Sequence, residues 1–226
     1  MILLPPPPIG GALPPIGLPT TGYPAPTPAS LWAGDWQTIA WNLEGAFITP
    51  WRWNDASGSL RVTIPTEATG ILSYLSTNQI YDLAGWHYLR MSLSVIPTSG
   101  APWISYPTNP IGGTPNPCIS PAAGRLILLN QNPTWFGTIY DRWWSTTAVE
   151  VLHADELLAA PTADLTNLSA WFAVDGTSAA LVPQAFTDAL TASRIGITFG
   201  GGCFAGHGVD VVNGTADVSV QWFWVE

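Results

Sequence analysis

The chain has 226 residues, 47% of them hydrophobic and only 9% charged, with a formal net charge of −9. A chain this apolar can bury a substantial core, which excludes wholesale disorder, and its length fits one large β domain or two small ones. All six basic residues are arginines, Arg52, Arg61, Arg90, Arg125, Arg142 and Arg194, spread so thinly that no basic patch is expected and nucleic acid is excluded as a partner.

Residues 1–30 read as an extended arm. Residues 1–28 hold ten prolines and no charge, a composition that favours polyproline II and a reach on the order of 80 Å. An isolated apolar strap is ordered only when tied down, so Leu3, Leu4, Pro5, Pro8, Ile9, Leu13, Ile16, Leu18 and Tyr23 are expected to contact the body or, preferably, a neighbouring chain. The first residues lack a basic n-region and their apolar run stops after four positions. A signal peptide and a membrane anchor are therefore not expected, and the product is expected to be soluble and made in the cytoplasm.

Residues 31–226 read as one β domain. Period-two alternation marks strands at Ile39, Trp41 and Leu43, at Leu60, Val62 and Ile64, and at Leu89, Met91, Leu93 and Val95 against Arg90, Ser92 and Ser94. A short apolar strand covers Leu126 to Leu129, and Val149 with Val151 marks another. Leu168, Ala170, Phe172 and Val174 alternate, as do Ile195, Ile197 and Phe199, and Val218, Val220, Trp222 and Trp224 close the chain. Turns fall at Ala56-Ser57-Gly58, Asp175-Gly176 and Asn213-Gly214, the last a strong hairpin signal. Only Ala154 to Ala160 and Gln184 to Ala192 suit short helices. Residues 97–124 hold seven prolines and are expected to form a long loop. The fold class expected is all-β, a two-layer antiparallel sandwich of jelly-roll type.

Thirteen tryptophans are the main anomaly of the body. Trp41, Trp222 and Trp224 alternate with polar residues and are expected in the core. Trp51, Trp53, Trp103, Tyr106, Trp135, Trp143 and Trp144 sit in loop-like sequence. They either pack under loops and against neighbouring subunits or stack on a glycan or protein partner.

No catalytic set emerges. Asp155 and Glu156 are adjacent and diverge on either a strand or a helix, so they do not form a glycosidase pair. His153 and Asp155 lack the P-C-x-x-C of a zinc deaminase, no G-x-S-x-G occurs, and His87, His153 and His207 share no metal spacing. The glycines of residues 200–208 lack the G-K-[ST] ending of a phosphate loop and are expected to serve positive φ or close backbone approach. Cys118 and Cys203 are either bonded to each other or buried thiols. No cofactor, no metal and no enzymatic activity are expected.

The run Arg194-Ile195-Gly196-Ile197-Thr198-Phe199-Gly200-Gly201-Gly202, with the final strand Val220-Gln221-Trp222-Phe223-Trp224-Val225, resembles the closing hairpin of carbohydrate-binding-module-like jelly rolls. Asp82-Leu83-Ala84-Gly85-Trp86 and the strand from Tyr88 to Val95 resemble the entry strand of the same class. Such modules occur in minor tail and other virion proteins of tailed phages. The resemblance implies a structural or adhesive virion component, a minor tail, tail-tip or capsid decoration protein present in several copies. Its arm would dock on other virion subunits, and its sandwich would be exposed after release to the host surface or its glycans. The alternative is a free carbohydrate-binding module that grips a polysaccharide with loop aromatics.

Overall fold

The computed structural model describes residues 36–106, 122–130, 138–149, 161–201 and 206–225. In chain order these form β1 (Trp36–Trp41), β2 (Phe47–Ile48), β3 (Arg52–Asn54), β4 (Leu60–Thr63), β5 (Ile71–Thr77), β6 (Tyr88–Ser105), β7 (Ala122–Asn130), β8 (Arg142–Val149), β9 (Thr162–Asp164), β10 (Trp171–Ala173), α1 (Pro183–Thr191), β11 (Ser193–Gly201) and β12 (Asp210–Val225). A seven-stranded sheet runs β10-β8-β7-β11-β5-β1-β2 and a five-stranded sheet β3-β4-β12-β6-β9. The named strands pair antiparallel throughout. The expected all-β sandwich of jelly-roll type is the fold observed.

Strand alternation sets which residues fill the space between the sheets. Ile195, Ile197 and Phe199 of β11 turn inward with Leu126 and Leu128 of β7, and they meet Leu60, Val62, Leu93, Val218 and Val220 of the other sheet. The largest fully buried side chains include Trp36, Trp143, Trp171 and Phe186. Phe186, delivered by α1, sits edge-on to Trp143 at 5.2 Å and tilted against Trp171 at 5.6 Å. The two indole N–H groups donate to the carbonyls of Tyr140 and Asp164, so neither polar edge is left bare in the core.

Several expectations need correction. Residues 97–105 are not loop: β6 continues to Ser105 and pairs with β12. The prolines are tolerated because β9 covers only Tyr88 to Arg90, so among the described residues β6 is bonded from Pro97 onward on the β12 side alone. Residues 122–124 belong to β7. Asn213-Gly214 lies inside β12 instead of in a hairpin turn, where the pairing with β6 shifts register: Asn213 takes φ 60 and Gly214 pairs with Gly100 at φ 69. A register shift between Val220 and Trp222 turns Phe223 into the core and leaves Trp222 half-buried outside it. Trp41 also faces away from the core, on the side of β1 that it shares with Gln37 and Ile39. The strand expected over Leu168 to Val174 is a 3-10 turn at Leu168–Ala170 followed by β10, in which Trp171 and Ala173 face inward and Phe172 outward. The helix expected near residues 184–192 is α1. Residues 1–35, Val151, Ala154 to Ala160, Cys118 and Cys203 lie outside the described residues, as does the Trp224 side chain.

Candidate functional site

The side chains that alternate outward from the seven-stranded sheet are unlike an ordinary wet face. In register across the strands, one row reads Phe172, Trp144, Ile127, Gly196, Ser76 and Gln37. On one side of it Arg142, Leu129 and Arg194 line up, and on the other Arg125, Thr198, Tyr74 and Ile39. Tyr74, Ile127, Leu129 and Trp144 form a second small apolar cluster there, with Ile39, Phe172 and Val174 packed on it. Three of the chain's six arginines therefore share one face in a protein of net charge −9, a concentration that spacing along the chain does not show.

The three guanidinium groups have different tasks. Arg125 donates Nη1 to the carbonyls of Ser145 and Thr146 where β8 departs from regular pairing, and its guanidinium lies 5.8 Å from the Phe172 ring centre. It is a structural clamp. Arg142 lies half-buried beside Asp141, and burial holds it below the usual guanidinium range. Arg194 reaches Gln37 Oε1 at 3.4 Å through Nη1, while its Nε has no hydrogen-bond partner among the described residues.

Tyr74 stands between these charges and the apolar cluster. Burial pushes its phenol up to about 12, against the opposing pull of the Arg142 and Arg194 charges. Both guanidinium groups therefore reach this hydroxyl electrostatically, and at neutral pH it keeps its proton. Ser76 Oγ and Trp144 Nε1 are buried on the same face without hydrogen-bond partners among the described residues. Buried polar groups of this kind cost stability unless something satisfies them. The turn before β12 lies against the same face: a Cβ on Gly206 would stand 3.2 Å from the Trp144 ring and 3.4 Å from Thr198 Oγ1. It carries His207, whose surroundings disfavour the charged form and hold it below the usual imidazole range.

Glycine makes the floor of this site possible. At Gly196 a Cβ would come 2.1 Å from the Leu75 carbonyl oxygen, so β11 and β5 approach too closely there for any side chain. The long side chains of Tyr74, Arg142 and Arg194 surround that bare position in register.

The aromatics singled out in the sequence are not brought together. Trp143 is wholly buried in the main core and Tyr106 is buried with it, so neither can stack on a glycan. Trp144 is 8% exposed and belongs to the arginine face. Trp53 faces outward on β3, 5.3 Å from the Arg61 guanidinium, which also binds Asp217 at 2.8 Å. Trp51, 73% exposed, continues that edge through its carbonyl, which accepts from Thr63 N. Trp103 is exposed beside Val212, seven residues along β12 from the row of Arg61 and Ser219, or about 23 Å away. Trp135 and the arm residues Leu3, Leu4, Pro5, Pro8, Ile9, Leu13, Ile16, Leu18 and Tyr23 lie outside the described residues, as do His153, Asp155 and Glu156. Among the described residues no group of three or more His, Cys, Asp or Glu could hold a metal ion, and no helix is long and apolar enough to cross a membrane.

Neither a family model nor a curated protein sequence matches the chain. Among solved structures it is similar to alginate lyase A1-II′ of polysaccharide lyase family 7, at 12% identity over 90% of this chain and 98% of that one, with a TM-score of 0.34. It is also similar to the laminarinase from Rhodothermus marinus, at 12% identity over 85% of this chain and 90% of that one, with a TM-score of 0.41. A third is LamA from Z. galactanivorans in complex with laminaritriose and laminaritetraose, at 11% identity and a TM-score of 0.36, over 85% of this chain and 92% of that one. These similarities concern the fold. They also correct the expectation of a non-enzyme, because the similar solved chains are themselves a lyase and laminarinases, and the lack of a familiar catalytic motif here does not exclude catalysis.

Proposed function

We propose that this chain is a carbohydrate-active β-sandwich protein that takes a carboxylate-bearing polysaccharide on the outer face of its seven-stranded sheet. The observation that carries the reading is that Arg142, Arg194 and Tyr74 lie on one outward face of the seven-stranded sheet, in the two rows that flank Gly196. Guanidinium groups pair with carboxylates through charge-assisted hydrogen bonds. Phe172, half-buried beside Trp144, supplies a ring at one side. A seven-stranded sheet is about 29 Å from edge to edge, a platform fit for an extended chain of rings. One charge per sugar ring is also a far lower density than the roughly one per 1.7 Å of duplex nucleic acid, which a net charge of −9 would repel.

Affinity electrophoresis through gels containing alginate, laminarin or a sulfated polysaccharide tests the reading. Retardation by alginate that weakens with salt, with none by neutral laminarin, is the expected result, and incubation of the same samples reports any cleavage. Equal retardation by laminarin would refute the role of the arginines. Placement in a virion depends on residues 1–30, outside the described residues, and stays a proposal from the sequence.

A further inference from the structure

At one end of the five-stranded sheet, Trp53 of β3 and Trp51 just before it turn to the same outer side. Arg52 between them pairs with the core residue Val62, and the pairing runs on to Trp51, whose carbonyl accepts from Thr63 N, so alternation sends both tryptophans away from the core. Trp53 is anchored. It lies 5.3 Å from the Arg61 guanidinium, which Asp217 holds at 2.8 Å, while Thr63 Oγ1 donates to the other oxygen of that carboxylate at 3.0 Å. Trp51 is 73% exposed. A ring lying flat on the protein would lose about half of its surface, so this indole stands clear with its faces open.

Independently of the polysaccharide reading, we infer that Trp51 and Trp53 receive the proline-rich arm of their own chain, with Pro24 and Pro26 against the two indoles. Where the described chain begins argues for this occupant. Arg52, between the two tryptophans, donates Nη1 to the carbonyl of Trp36, the first described residue, so residues 1–35 attach to the body beside β3. Residues 1–28 carry ten prolines and no charge. Such a segment offers no ion pair and few N–H donors, and what complements it is an indole face for each pyrrolidine ring and an indole N–H for its carbonyls. Spacing agrees. Two residues of polyproline II advance about 6.2 Å, and two residues of strand separate Trp51 from Trp53 by about 6.6 Å. Ten residues from Pro26 to Trp36 span up to about 33–36 Å, so the arm reaches the pair with slack. A tether this short gives an effective concentration on the order of millimolar, which favours the chain's own arm over that of a second copy.

Indole N–H resonances of the labelled full chain, identified by their loss in Trp51→Phe and Trp53→Phe, test the contact. Replacing Pro24 and Pro26 together by alanine should shift both resonances and leave that of Trp144 in place. A synthetic peptide of residues 19–30 should return them saturably toward their wild-type positions, and it should bind the double variant several-fold more tightly than the wild type, whose own arm competes. The wild-type positions should not change on dilution. Unmoved Trp51 and Trp53 resonances in the double variant, or no return with the peptide, would overturn the inference. Positions that change on dilution would give the pair to the arm of a second copy and overturn the assignment to the chain's own. Thermal melts of the double variant should match wild type, because neither proline belongs to the core.

Discussion

Arg194→Met removes one guanidinium from the proposed site while keeping a long unbranched side chain. The native cost should be small, because the interactions lost are a 3.4 Å bond from Nη1 to Gln37 and contacts of a half-buried stem, and Nε bonds to nothing among the described residues. The binding cost should be large. A hydrogen bond to a charged group contributes about 1.5–3 kcal/mol, and every 1.4 kcal/mol is about a tenfold change in dissociation constant, so alginate affinity should fall about ten- to hundredfold. Calorimetry at two salt concentrations, alongside a thermal melt, measures both quantities. The variant should melt within a few degrees of wild type and show a shallower salt dependence, since it pairs with one charge fewer. Unchanged affinity in a folded variant would refute the assignment of Arg194 to ligand binding.

Other consequences follow from packing and titration. Phe186→Ala opens a cavity between Trp143 and Trp171 and should cost about 3–5 kcal/mol in denaturant unfolding; a loss under 1 kcal/mol, roughly a surface effect, would mean that α1 is not docked on the core. Gly100→Ala should also destabilise, because its φ is +69 and a Cβ would meet the Asn213 carbonyl oxygen at 2.7 Å. A neutral result in the same assay would contradict the close approach of β6 and β12 at Gly100. Burial pushes the Asp210 carboxyl up to about 6, with the Glu67 charge adding to it and a hydrogen bond from Ser105 opposing it. The folded chain therefore keeps a proton between about pH 4 and pH 6 that the unfolded chain has released, and stability should fall as pH rises through that window. Asp210→Asn should flatten the fall and melt higher at pH 7; parallel profiles for the two proteins would contradict the assignment.

The strands that carry the core were legible because one face of each is apolar and the other polar. Ile195, Ile197 and Phe199 alternate with Arg194, Gly196 and Thr198, and burial follows that alternation. Bulges were not legible. An extra residue near Gln221 exchanges Trp222 for Phe223, and Trp41 shares the outward phase of Ile39 by plain alternation along β1, so two of the tryptophans expected in the core are outside it. The prolines of residues 97–102 pointed to loop because the sequence does not reveal that β9 stops short and, among the described residues, leaves that part of β6 paired on one side. The arginine site was hidden for a topological reason. Tyr74, Arg142 and Arg194 lie on β5, β8 and β11, which the order β8-β7-β11-β5 brings together from distant parts of the chain. A signal was present in each strand, since each places its polar residue at every second position. Only the strand order makes three such faces into one.

The most direct test of the account is the indole N–H resonance of Trp144, identified by its loss in Trp144→Phe, during titration of the labelled chain with alginate oligosaccharides. Its Nε1 is buried on the arginine face without a partner among the described residues, so a ligand that occupies the site should shift it saturably. A Trp144 resonance that stays fixed while the exposed Trp51 or Trp103 moves would place the binding surface elsewhere and contradict the central claim.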